Sequence, residues 1–191
     1  QFAREPFRIF FPLAVLAGIL GVALWPLHLL GFFQWYPGQV HARLMANGFF
    51  GGFIFGFLGT AMPRMLSAKP FTSLETGMLM VAWLAMTIAY SFGSLVLGDA
   101  LMLGVLVCFA TFMLPRAANR KDIPPPGFIL VLLGLVSAFF GAGLSVLLSY
   151  LELDLFWTNL QRLLAFQGAI LFPIMGVAPF ILPRFFGTRS S

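Results

Sequence analysis

Charge is scarce in this chain. Of 191 residues only 9% are Asp, Glu, Lys or Arg, whereas 60% are apolar. A soluble domain covers its core with charged and polar side chains, so a water-exposed globule is excluded. Cysteine occurs once, at 108, which rules out an intramolecular disulfide and leaves the redox compartment unread. Histidine occurs twice, at 28 and 41, too few for a closed histidine-built metal site. Also missing are paired carboxylates within an apolar run, a Ser/His/Asp set and a phosphate-binding glycine loop, so no hydrolytic or nucleotide-dependent chemistry is legible. The stretch 115–126, with Pro124, Pro125 and Pro126, is the longest interruption of apolar sequence, which leaves no room for a soluble domain.

What remains is a set of long apolar runs. Six stretches approach or exceed the ~20 residues that cross a hydrocarbon core: 9–33, 40–62, 74–95, 97–114, 127–151 and 156–182. They predict an all-α polytopic membrane protein, a single six-helix transmembrane domain over 1–191. The first run is about 25 residues long with no small-residue cleavage site behind it, so it reads as a retained span and not a signal peptide. Residue 1 is Gln, which implies a removed piece or a longer chain.

Where the cations fall sets the orientation. Arg4, Arg8, Arg64, Lys69, Arg116, Arg120, Lys121, Arg184 and Arg189 sit at alternate breaks, and only Arg43 and Arg162 sit at the others. By the positive-inside rule the richer side is cytoplasmic, with both termini on it. The net charge of +5 is thereby explained as topology facing anionic lipid, and nucleic acid is not a partner. Glu75, Asp99, Glu152 and Asp154 fall at helix ends, where a carboxylate is solvated or caps a helix start. No ionisable residue lies at mid-membrane depth, which argues against a proton-coupled transporter.

Two helices carry small-residue stripes. Gly48, Gly52, Gly56 and Thr60 recur every four residues in the second, and Ser137, Gly141, Ser145 and Ser149 in the fifth. Close helix packing is the first reading of such stripes. The phenylalanines Phe49, Phe50, Phe53 and Phe57 beside the glycines would also suit a flat macrocycle such as haem. An internal echo links 42–64 with 161–184: both open Arg-Leu-x-Ala and close Pro-Arg, so helices two and six read as a duplication. Pro173 and Pro179 predict a kink in helix six.

His28 ends the first helix and His41 opens the second, across a short aromatic turn with Phe32, Phe33, Trp35 and Tyr36. Met45 follows His41 by one helical turn and shares its face. Hydrated interfacial imidazoles are one reading. A His/His/Met cluster is the other, with donors suited to iron, copper or a haem axial position. Arg43 and Arg162, at matching depths, either snorkel to headgroups or hold anionic groups of a ligand such as propionates.

The elements EPFRIFFPLA (5–14) and HARLMANGFF (41–50) resemble the NnrS family of bacterial inner-membrane proteins. Pro6, Phe7, Arg8, Phe10 and Phe11 match the family's entry to the first helix. His41, Ala42, Met45, Gly48 and Phe49 match its His-Ala-His-Glu-Met element, and Thr60, Ala61 and Pro63 its exit. Arg43 and Leu44 stand where that element has its second His and its Glu. The resemblance covers the first third of the chain. It implies haem and copper, a link to the response to nitric oxide, and His41 as ligand with His28 or Met45 beside it. The other readings are a cofactor-free accessory subunit, docked by its stripes to other membrane subunits or to copies of itself, and a small-solute transporter.

Overall fold

The computed structural model describes residues 5–122 and 124–187. Arg4 and Arg189 lie outside them. Lipid offers the backbone no hydrogen-bond partners, so an apolar chain crossing it closes its amides and carbonyls within helices. The elements are α1 (Phe7–Leu29), α2 (Gly38–Arg43), a π-helical turn π1 (Leu44–Phe50), α3 (Gly51–Met65), α4 (Ser73–Ser91), α5 (Leu95–Ala118), α6 (Phe128–Leu148), α7 (Leu155–Arg162), a second π turn π2 (Leu163–Gly168) and α8 (Ala169–Phe185). The runs α2–π1–α3 and α7–π2–α8 are continuous rods. Six helices are long and apolar enough to span a membrane, and no strand occurs among the described residues.

The surface identifies the solvent. Leu16, Ile19, Val81, Val107, Ile129, Leu132, Phe140 and Leu171 are exposed. Contiguous apolar surface on this scale is not tolerated in water and is what hydrocarbon requires. The chain is an all-helical membrane protein.

Three helices end earlier than their apolar runs predict, α6 at Leu148 and two others at a glycine turn. Helix α1 stops at Leu29 instead of continuing to 33, because Gly31 takes a left-handed φ of +80°. Helix α4 stops at Ser91, and Gly93 at φ +76° makes the same turn. The start of α4 is a capping box: Thr72 Oγ1 accepts from Glu75 N at 3.2 Å while Glu75 Oε2 accepts from Thr72 N at 2.7 Å.

The chain forms two compact units, residues 1–122 and 123–191. In the first, α1 lies along π1 and α3 on glycine. A Cβ on Gly52 would stand 2.7 Å from Ala14 Cβ, one on Gly48 3.1 Å from Ala17 Cβ, and one on Gly56 2.8 Å from Phe10 Cβ. Thr60 closes this seam: its hydroxyl donates to Gly56 O at 2.9 Å and accepts from Phe7 N, an amide with no partner inside α1, at 3.1 Å. Helices α4 and α5 complete the unit: Phe109 of α5 stands edge-on to Phe55 of the rod, and Trp83 of α4 stands edge-on to Phe10 of α1.

One end of this unit gathers its cations. Arg116 holds both Glu75 oxygens at 2.9 and 2.8 Å, donates to Lys69 O and Pro70 O, and lies over Phe71. Arg64 and Arg8 both pair with Glu5. In the second unit α6 packs on π2 and α8. A Cβ on Gly141 would meet Ala165 N at 2.5 Å, and Ser137, Gly134 and Gly127 make equally close seams with Gly168, Pro173 and Gly176.

Candidate functional site

The opposite end of the first unit carries His28, His41, Met45 and Arg43. Helix α2 presents His41 toward α1, where its Nδ1 lies 2.9 Å from Gly21 O. A carbonyl can only accept, so Nδ1 carries a proton, and the tautomer that this bond selects has its lone pair on Nε2. This is how a metal-ligating imidazole is usually oriented, one nitrogen tied to a carbonyl and the other left to coordinate. Trp25 stands edge-on to the ring, centroids 5.8 Å apart, and Tyr36 stands edge-on to Trp25.

His28 is held in the same manner by a different carbonyl, Phe33 O at 3.2 Å. Its ring lies beside Phe33, which stacks on Trp35 with centroids at 4.2 Å. Met45 also leans on Gly21: a Cβ there would meet Met45 Sδ at 3.3 Å. One glycine of α1 thus accepts the hydrogen bond of His41 and leaves room for the thioether of Met45. Among the described residues no three His, Cys, Asp or Glu side chains form a metal-holding group. The donors present are imidazole nitrogen and thioether sulfur, a set that fits copper or the axial position of a haem iron.

Arg43 turns elsewhere. Its Nε donates to Asp99 Oδ1 at 3.0 Å and to Oδ2 at 3.1 Å, and its Nη2 to Oδ2 at 2.9 Å. Asp99, expected to be solvated at a helix end, is only 3% exposed. It lies one turn inside α5, where α2 and α4 close over it. Tyr90 Oη donates to Asp99 Oδ1 at 2.8 Å, Asn47 Nδ2 donates to the same Tyr90 Oη at 3.0 Å, and Trp83 Nε1 donates to the backbone carbonyl of Asn47 at 3.2 Å. A buried ion pair survives only when its remaining hydrogen-bonding capacity is filled, and this chain fills it. Composition hid the network: a lone Asp near a helix start resembles a cap, and Asn47, Trp83 and Tyr90 read as interior filler. The usable signal was charge matching, since Arg43 and Asp99 have opposite signs on the same predicted side.

Arg162 belongs to the second unit, on α7, where it is exposed. There Ser137 Oγ donates to Leu164 O of π2 at 3.0 Å, and Ser145 is buried in α6. Both π turns therefore offer a carbonyl to a side-chain donor on a neighbouring helix, Trp83 in one case and Ser137 in the other. Such turns recur at functional sites.

The family model described as NnrS protein matches residues 1–189, essentially the whole chain. No curated protein and no solved structure matches it.

Proposed function

The chain belongs to the NnrS family, and from that membership we propose that it binds haem or copper at the His41 end of its first unit and serves the response to nitric oxide. The observation that carries the reading is His41 Nδ1 on Gly21 O at 2.9 Å, which directs the coordinating lone pair to Nε2. Met45 is the second donor and His28 the third. Bound there, haem iron or copper would supply a redox-active centre that takes a small ligand such as nitric oxide. The residues of the chain orient the imidazole and surround it with Trp25 and Tyr36, and the carbonyl of Gly21 fixes the tautomer. We place the protein in the bacterial inner membrane with both termini cytoplasmic, His41 then facing the outer side, because the cation-rich loops gather at the other end.

The test is haem and copper content of detergent-purified protein from haem- and copper-replete cells, by optical spectrum and elemental analysis, for wild type and His41→Ala. Wild type should carry a Soret band or stoichiometric copper, and the variant should lose it. Equal content in both removes His41 from the site.

A second reading rests on Arg43. It occupies the family's second histidine position, cannot ligate a metal, and is committed to Asp99. That favours a cofactor-free accessory subunit of a larger membrane complex, in which this end of the unit is structural. Wild type without haem or copper puts this reading first.

A further inference from the structure

The two rods broken by π turns follow one plan, but the first is 56% buried over its most apolar stretch and the second 17%. Arg43, Leu44 and Ala46 recur 119 residues later as Arg162, Leu163 and Ala165. From Gly48 onward the interval is 120: Gly168, Gly176 and Pro183 answer Gly48, Gly56 and Pro63. The helices packed against the rods share that interval. Helix α1 buries Ala14, Ala17, Gly18 and Gly21, and α6 buries Gly134, Ser137, Ala138 and Gly141. Contacts repeat as well, for Gly48 meets Ala17 as Gly168 meets Ser137, and Gly56 meets Phe7 as Gly176 meets Gly127. Apolar composition alone does not reproduce paired contacts in register, so α6–α8 is a second copy of the α1–α3 hairpin.

The copies differ in what lies on their far face. In the first, α5 covers Phe55 with Phe109, and Phe55 is 1% exposed; its counterpart Met175 is 56% exposed. Leu44 is fully buried, and its counterpart Leu163 is 50% exposed. Gly51 is buried, and its counterpart Leu171 is exposed. Arg43 is joined to Asp99 of α5, whereas Arg162 is exposed and makes no ion pair among the described residues. Everything that α4 and α5 contribute to the first copy is lacking in the second.

We propose that the face bearing Arg162, Leu163, Leu171 and Met175 docks a partner's membrane-spanning helix pair built like α4–α5, with a carboxylate set against Arg162. Charge complementarity favours this occupant, because an exposed guanidinium beside an apolar face is matched by a fork-matching carboxylate, whereas lipid offers it only a headgroup at the membrane surface. The repeat selects the shape, since the same rod in its first copy already accepts such a pair.

The probe is the chain's own hairpin, residues 66–122, appended by a flexible linker to the full chain and reconstituted in vesicles. Cys108→Ser is introduced in both copies, Met175→Cys in the chain and Phe109→Cys in the appended hairpin, and a short thiol-bridging reagent is added. Intramolecular bridging is expected, and Asp99→Asn in the appended hairpin alone should reduce it on the order of a hundredfold, the scale of removing one partner of a desolvated ion pair. That variant leaves the folded chain untouched, so its result does not depend on stability. Bridging indifferent to the carboxylate, Met175→Cys bridging only to a second copy of the chain, or no bridging with full reactivity toward a lipid-soluble maleimide would each overturn the proposal, the last two assigning the face to a homodimer and to lipid.

Discussion

Arg43 and Asp99 stand 56 residues apart in sequence and meet through three hydrogen bonds of 2.9 to 3.1 Å. The pair joins α2 to α5, with the Arg43 side chain 13% and the Asp99 side chain 5% exposed. Asp99→Asn keeps the shape and strands a buried guanidinium, so it should cost about 3 kcal/mol. Tyr90→Phe removes a neutral donor and should cost about 1 kcal/mol. Thermal unfolding in detergent should rank them in that order, with little dependence on salt because the pair is shielded from it. Equal effects would mean that the charge itself contributes nothing.

Gly52→Leu is expected to break the α1–α3 seam, since even a Cβ there would stand 2.7 Å from Ala14 Cβ and 3.1 Å from Trp83 Cζ2. Overpacking at an interface with no give should cost about 3 kcal/mol or prevent folding. Gly104→Ala in α5 meets nothing within 4 Å and should gain up to about 1 kcal/mol from helix propensity. Melting of the two variants beside wild type checks both, and a wild-type melt for Gly52→Leu would turn that stripe toward lipid.

Glu5 fastens the start of α1 to the end of α3. Its hydrogen bond from Arg8 holds the carboxyl below the usual carboxylate range, with Arg64 acting in the same direction and desolvation against it. A carboxyl whose folded pKa is depressed contributes stability above its unfolded pKa and loses it as pH falls through the folded value. Stability should therefore drop on the acid side, and Glu5→Gln should lower stability on the neutral-to-basic side and flatten the acid drop. The check is unfolding measured across a pH series for both proteins.

The proposed orientation places the 115–126 loop in the cytoplasm. Alkaline phosphatase fused there should be inactive and green fluorescent protein fluorescent, with the opposite result for fusions after Tyr36. An active phosphatase in that loop would invert the molecule.

All six spans were legible because a bilayer demands uninterrupted apolar length, which composition displays directly. Helix ends were less so: Gly31 and Gly93 end α1 and α4 by adopting left-handed backbone, while apolar side chains continue past them. That His41 and Met45 share a face was legible from spacing. Their anchor was not, because Gly21 contributes a carbonyl and an empty space, and neither is written in a side chain. Asp99 was misread for a related reason: sequence gives its distance from a helix start and says nothing of what closes over it.

The π turn beneath His41 also sets angular phase. Each residue of an α-helix advances the side chains by about 100°, and π1 inserts extra chain between Arg43 and the glycines without ending the rod. Deleting one residue there, Asn47 for example, would leave Gly52 and Gly56 seated on α1 and swing everything above them. His41 would leave the carbonyl of Gly21, and Arg43 would leave Asp99. The turn works as a vernier: the seam below it answers to packing, and the end above it is free to be aimed, so two selective pressures can act on one rod without compromise.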